Sequence, residues 1–355
     1  MNGWYAGFCL LIIIASTAGC GNLSGKSSMT TDPGASVVTG LGPGTRYDKA
    51  GGFHTLAREE VDALIGPLVR NGTYVGMAVA VIDEDGYDVW GYGETKLNSS
   101  EVPDENTVFG IGSVTKPFNG VLLADSYLRG KISLTAPVST YLTPGQIVPS
   151  YDLRKITLID LATHTSGLPA VPDAFFEGYS EGIPTGKNTG DVYEEIMGHY
   201  GTYPSDEVYA WLGEVNLTRS IGSTWEYSNV GAAILGDALA RANNQGYPDL
   251  LRERITGPLG MNSTAGIMTP DMAARAVTGY RNYGGPLAEA RKLQFNAFWL
   301  PGGGLYSTPR DMVRFTTTAM GLTPSPLSEA FTISMLPFAM REVSPQTMYQ
   351  GLQWD

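Results

Sequence analysis

Phe109-Gly110-Ile111-Gly112-Ser113-Val114-Thr115-Lys116 is the stretch on which the reading of this chain turns. It leaves a strand-like pair, crosses two glycines and runs into VLLADSYLRG (residues 121–130), whose pattern is helical. Ser113 therefore falls at the start of a predicted helix with Lys116 one turn later. A spacing of three puts both side chains on one helix face. A serine hydroxyl is a weak nucleophile until a base takes its proton. A lysine does this when burial or a nearby positive charge lowers its pKa. The helix N-terminus favours negative charge developing on the serine oxygen. Ser113 is the only serine in the chain followed three residues later by lysine. The plain alternative at this spacing is a helix start with an exposed lysine.

Working outward, residues 54–70 carry apolar positions at helical spacing, among them Val61, Leu64, Ile65 and Leu68. GMAVAVIDEDGYDVWGYG (76–93) reads as two strands around Asp85-Gly86, a strong hairpin signal. Two strands alone are not a stable sheet, and no obvious partner strands follow residue 110. ITLIDLATH predicts a helix ending near Gly167, and VGAAILGDALARA (230–242) predicts another. Residues 170–205, rich in Gly, Pro and aromatics, read as a long irregular excursion. Ser-Thr-Pro-Arg-Asp at 307–311 predicts a helix start with Thr308 as N-cap and Pro309 in the first helical position.

The second chemical candidate is Tyr227-Ser228-Asn229, just before the helix at 230. A tyrosine near serine and lysine can relay protons, and an asparagine amide can hold the lysine and a substrate carbonyl. A second Tyr-x-Asn, Tyr280-Arg281-Asn282, lacks the helix that follows the first. His164, at a predicted helix end, reads as a structural C-terminal residue. Gly302-Gly303-Gly304 lacks the ending of a phosphate loop and reads as a tight turn.

The 355 residues allow one large domain. A net charge of -12 argues against nucleic acid as a partner. The two cysteines, Cys9 and Cys20, leave the body without a disulfide framework or thiolate metal site. The three histidines are scattered, so no metal is expected, and no cofactor motif is present. Residues 3–19, GWYAGFCLLIIIASTAG, form an uncharged apolar run followed by small residues, as in an export signal. Thr17-Ala18-Gly19-Cys20 resembles a lipidation site at Cys20, and the plain alternative for the run is an uncleaved membrane anchor. The expected organisation is a signal peptide (1–19), a Gly/Ser/Thr/Pro-rich tether (20–52) and one catalytic domain (53–355). The expected location is outside the cytoplasm, periplasmic or at the cell surface, with a lipoprotein anchor.

TVFGIGSVTKPF, ITLIDLATHTSGLP, WEYSNVGAAILGDAL, ITGPLGMNST, PGGGLYSTPRDMVRF and MYQGLQWD occur in this order. Together they resemble the serine β-lactamase and penicillin-binding-protein superfamily, nearest to class C β-lactamases and D-alanyl-D-alanine carboxypeptidase/endopeptidases. The resemblance implies an α+β fold: an antiparallel sheet flanked by helices, with an inserted helical subdomain and the site between them. It implies Ser113 as acylated nucleophile, Lys116 as its partner, Tyr227 as proton relay and Asn229 as substrate and lysine ligand. The substrate would be a peptidoglycan stem peptide or a β-lactam. An esterase or D-amino-acid amidase on the same fold, and a catalytically inactive binding protein, stay open. The family's third motif, Lys or His then any residue then Gly, comes after the GLQWD segment. Here the chain stops at Asp355, so the C-terminal strands are expected to be missing. The sequence sets no expectation for oligomeric state.

Overall fold

The computed structural model describes residues 10–15, 56–83, 85–179, 189–281, 287–292, 294–343 and 346–354. Strand β1 (Leu10–Ala15), helix α1 (Arg58–Arg70) and strands β2 (Gly76–Ile82) and β3 (Tyr87–Gly93) form its first layer. The sheet order is β1-β2-β3, antiparallel throughout, with Val79 opposite both Ile13 and Trp90. Every residue of β2 is buried. Alternation divides them between two faces. Met77, Val79 and Val81 pack with Val61 and Ile65 of α1. Ala80 and Ile82 pack with Val313 of helix Pro309–Ala319. A strand covered on both faces reads as an unbroken apolar run, and GMAVAVI is one.

The third strand is a departure from the sequence reading, which finds no partner for the hairpin. β1 comes from the apolar run assigned to an export signal. The inner edge of β2 carries backbone N–H and C=O groups that must be paired, and this extended segment pairs them. The rest of that run, Cys20 and the 20–52 tether lie outside the described residues. Among the described residues no helix is long and apolar enough to cross a membrane.

Strand β4 (Phe109–Gly110) leads through a 3₁₀ turn, Gly112–Thr115, into helix α2 (Lys116–Leu128). Ser113 thus stands in the tighter turn and not in the α-helix itself. The preceding Gly112 has φ 52°, the left-handed region open to glycine. Side chains at i and i+3 eclipse in a 3₁₀ turn, so Ser113 and Lys116 still point the same way. Helices α3 (Leu158–Ala162), α4 (Thr189–Thr202), α5 (Ser205–Leu212) and α6 (Asn229–Ala242) follow, and α6 packs against both α2 and α3. α4 corrects the irregular reading of 170–205. Val192, Ile196 and Tyr200 recur every fourth residue, but Gly198, Gly201 and Pro204 hide the period.

The main core gathers Phe118, Val121 and Leu122 of α2, Leu161 of α3, and Val230, Ile234 and Leu235 of α6. Thr308 caps its helix as predicted, accepting from the Asp311 N–H at 3.2 Å. Residues 351–354 lie behind α2. The Leu352 N–H donates to Ser334 O at 2.7 Å and the Gln353 N–H to Ala162 O at 2.8 Å. A Cβ on Gly120 of α2 would fall 1.8 Å from the Leu352 carbonyl oxygen.

That approach fixes the sign of one substitution. Helix propensity alone makes Gly120→Ala stabilising by about 1 kcal/mol. The clash reverses this, giving a net loss of about 1–3 kcal/mol, read from urea unfolding. A stabilised variant would show that residues 351–354 do not pack against α2.

Candidate active site

Three chain segments meet around Ser113, and backbone hydrogen bonds bring them there. β4 pairs with Tyr306–Ser307. The Ile111 N–H donates to Leu305 O at 2.9 Å and the Leu305 N–H to Thr115 Oγ1 at 3.2 Å. The 300–305 segment is thereby laid along the Ser113 turn. On the other side, Ser228 caps α6 by accepting from the Gly231 N–H at 2.9 Å, and donates to Pro169 O at 2.7 Å. The Asn229 N–H donates to Ala170 O at 2.9 Å. These bonds hold Tyr227-Ser228-Asn229 at the mouth of α6.

The result places all four predicted body residues together. The Tyr227 hydroxyl donates to Ser113 Oγ at 2.6 Å. Lys116 Nζ stands 3.4 Å from the same oxygen. Nζ also donates to Asn229 Oδ1 at 2.7 Å and to the Gly302 carbonyl. It lies 4.5 Å from the centroid of the Tyr227 ring. Lys116 is 0% exposed, while Ser113 faces solvent. An amine this deep requires oxygen acceptors around it, and here they come from α6 and from the Gly302 turn. The arrangement can shuttle a proton between Ser113 and the Tyr227–Lys116 pair without moving a heavy atom far. Cys20 lies outside the described residues.

Asn229 has a fixed orientation. Its Oδ1 accepts from Lys116 and its Nδ2 donates to the Tyr200 hydroxyl of α4 at 2.8 Å. Tyr200 sits in an aromatic box with Phe175, Phe295 and Trp299, stacked on Phe295 at 4.7 Å. Burial pushes its phenol well above the usual range, outweighing the Asn229 bond, so it stays a neutral hydroxyl.

Sequence reasoning missed three participants. Gly302 reads as a turn residue, yet its carbonyl holds Lys116. Tyr200 falls in the excursion read as irregular. His164, read as structural, lies directly against Tyr227, with ring centroids 4.8 Å apart. Its Nδ1 accepts from the Ser228 N–H at 3.1 Å and its carbonyl from the Glu226 N–H at 2.7 Å. Burial first, then Lys116 and Arg341, push its pKa down to about 3. The only local signal was a polar residue at a helix end, because its partners are some sixty positions away in the chain.

Other sequence patterns fall elsewhere. The Tyr280 hydroxyl of the second Tyr-x-Asn accepts from the Leu97 N–H at 3.1 Å, and Asn282 lies outside the described residues. Gly178-Tyr179-Ser180-Glu181-Gly182 has the spacing of a nucleophile elbow. It follows a 3₁₀ turn, Asp173–Phe176, where an elbow needs a strand, and Ser180 is outside the described residues. A cavity of about 460 Å³ lined by Gly167, Pro169, Trp211 and Glu226 includes none of the four site residues in its wall.

Comparison with known proteins agrees with this geometry. The chain is 32% identical over 260 residues to the D-alanyl-D-alanine-carboxypeptidase/endopeptidase AmpH of Escherichia coli (strain K12), covering 73% of this chain and 61% of that protein. It therefore spans less than two thirds of the length of that relative. It is 27% identical to a β-lactamase of the same organism, over 83% of this chain and 69% of that one. The crystal structure of a β-lactamase/D-alanine carboxypeptidase from Yersinia pestis, complexed with citrate, superposes with TM-score 0.59 at 28% identity, covering 78% of this chain and 74% of the other. A class C β-lactamase structure shares the fold, with TM-score 0.66 at 24% identity, covering 84% and 73%. With the β-lactamase family model matching residues 61–354, the chain belongs to the β-lactamase family.

Proposed function

We propose that this chain carries a serine hydrolase site that works through an acyl-enzyme at Ser113, on D-alanyl-D-alanine peptides or β-lactams. The observation that carries the reading is the exposed Ser113 Oγ with a phenol at 2.6 Å and a buried amine at 3.4 Å. In the proposed reaction Ser113 Oγ attacks the substrate carbonyl while its proton passes to the Tyr227–Lys116 pair. On the family's pattern the Ser113 backbone N–H would stabilise the oxyanion. The tetrahedral intermediate collapses, the C–N bond breaks, and the leaving nitrogen takes the proton. Water, activated by the same pair, then attacks the acyl carbon and releases Ser113.

To take that proton the Tyr227–Lys116 pair must be one proton short, as a phenol beside a neutral amine or a phenolate beside an ammonium, and Asn229 holds Nζ in place through Oδ1. The family's named relatives support this substrate class, since AmpH is a carboxypeptidase/endopeptidase and others are β-lactamases. Export is part of the proposal, and cleavage before Cys20 would remove β1, leaving β2 and β3 as the hairpin of the mature chain. It rests on the uncharged apolar run 3–19 and on Cys20 following Thr17-Ala18-Gly19. A Cys20→Ala protein that stays on the membrane to the same extent would overturn the lipid anchor.

Incubation with a fluorescent penicillin is expected to add one probe mass to the protein, on the peptide containing Ser113. Ser113→Ala removes the adduct, and an adduct surviving that change would overturn the nucleophile. Tyr227→Phe keeps the ring and removes the relay. It is expected to slow acylation by about 10²–10⁴-fold with little change in Tm, read from the time course of labelling. A rate unchanged by this substitution would remove Tyr227 from the proton path.

A further inference from the structure

We propose that His164 is a positioning residue that holds Tyr227 against Ser113. The inference rests on the reading of Tyr227 as proton relay. Tyr227 lies two residues before α6 begins at Asn229, and His164 grips the chain on both sides of it. The residue before Tyr227 donates its N–H to the His164 carbonyl at 2.7 Å, and the residue after donates its N–H to His164 Nδ1 at 3.1 Å. Between these two bonds the imidazole lies along the phenol ring, 4.8 Å between centroids at 32°. One residue thus sets the backbone direction and the ring plane of Tyr227 together.

The grip requires an unusual backbone. For its carbonyl and its ring to face the same strand of chain, His164 adopts φ 56°, the left-handed region. Such a conformation is strained for a residue other than glycine. Glycine would relieve that strain at this position but would lose the ring. The grip also requires a neutral ring, because Nδ1 must accept. Lys116 from α2 and Arg341 from the strand Ala339–Val343 both oppose a charge here, and burial opposes it more. With Nδ1 accepting, the neutral ring carries its proton on Nε2. The Gln353 side-chain nitrogen 3.4 Å away is also a donor, directed at the Leu161 and Ala162 carbonyls, so it packs against the ring without a hydrogen bond to it. The His164 ring thus has Gln353 behind it and Tyr227 in front.

The test compares His164→Ala with His164→Asn in the full chain. Asparagine tolerates the left-handed backbone and carries an oxygen that can take the Ser228 N–H. His164→Ala is expected to slow Ser113 acylation by a fluorescent penicillin about 10–100-fold, with a smaller change in non-covalent binding. His164→Asn is expected to recover most of that loss. In a Tyr227→Phe background, His164→Ala should cost less than about threefold further, since contacts that act through one group are not additive. Equal losses in the Ala and Asn proteins that follow their Tm, or an undiminished loss in the Tyr227→Phe background, would overturn the proposal. If the alanine protein does not fold, His164→Leu keeps bulk without the acceptor and takes its place.

A crystal structure of the His164→Ala protein supplies a readout that needs no activity. The Tyr227 hydroxyl is expected beyond hydrogen-bond distance from Ser113 Oγ, and a retained contact would overturn the inference. A parent chain that never acylates, with Tyr227 displaced in the variant, would instead count against the proposed function and leave the positioning role supported.

Discussion

The structure around the site depends on one buried amine. Lys116 begins α2 with its whole side chain sealed from solvent, and its Nζ needs oxygen on every accessible side. Asn229 Oδ1 and Gly302 O answer that need from 113 and 186 positions further along the chain. To deliver them, α6 must begin beside α2, and the 300–305 turn must run along the Ser113 turn. The pairing of β4 with Tyr306–Ser307 and the Ala170 bonds to the start of α6 are the backbone means of doing so. A misplaced segment would leave the amine short of an acceptor, which costs more than the contact itself contributes.

Main-chain bonds, more than side-chain pairs, carry this precision. Tyr227 is reached through Glu226 and Ser228, Asn229 through Ala170, and Gly302 through Leu305. Backbone groups have fixed geometry and lose no rotamer freedom on docking, so they place a site with less entropic cost than long side chains would. Among the polar side chains that do contribute, Ser228 Oγ makes two hydrogen bonds, Asn229 uses both ends of its amide, and His164 adds its ring face to one bond at Nδ1. Each therefore fixes an orientation as well as a distance.

Much of the fold was legible from local pattern. The hairpin around Asp85-Gly86, α6 and the Thr308 cap each follow from residues within one short window. Ser113 and Lys116 were legible for the same reason, being three apart. Tyr227 and Asn229 were legible as a motif before a helix. What escaped was whatever depends on distant pairing. β1 was hidden because an apolar run serves equally as leader, membrane segment or strand. α4 was hidden because its glycines and the following proline mask a clear fourfold apolar period. Gly302 and Tyr200 act through one atom each, and single atoms leave no composition signal.

His164 shows where local reading reaches its limit. A histidine after a short helix is compatible with a C-terminal cap, and by sequence nothing distinguishes it from one. Its left-handed backbone cannot be inferred either, since asparagine and glycine are the usual residues there. Only when Glu226 and Ser228 are both found on His164 does the choice of residue have a reason. A glycine would relieve the strain but offer no ring to Tyr227, and an asparagine would offer an acceptor without a face. Histidine combines a planar face for Tyr227 with an acceptor for the Ser228 N–H. The strain is retained at this position because both are used at once.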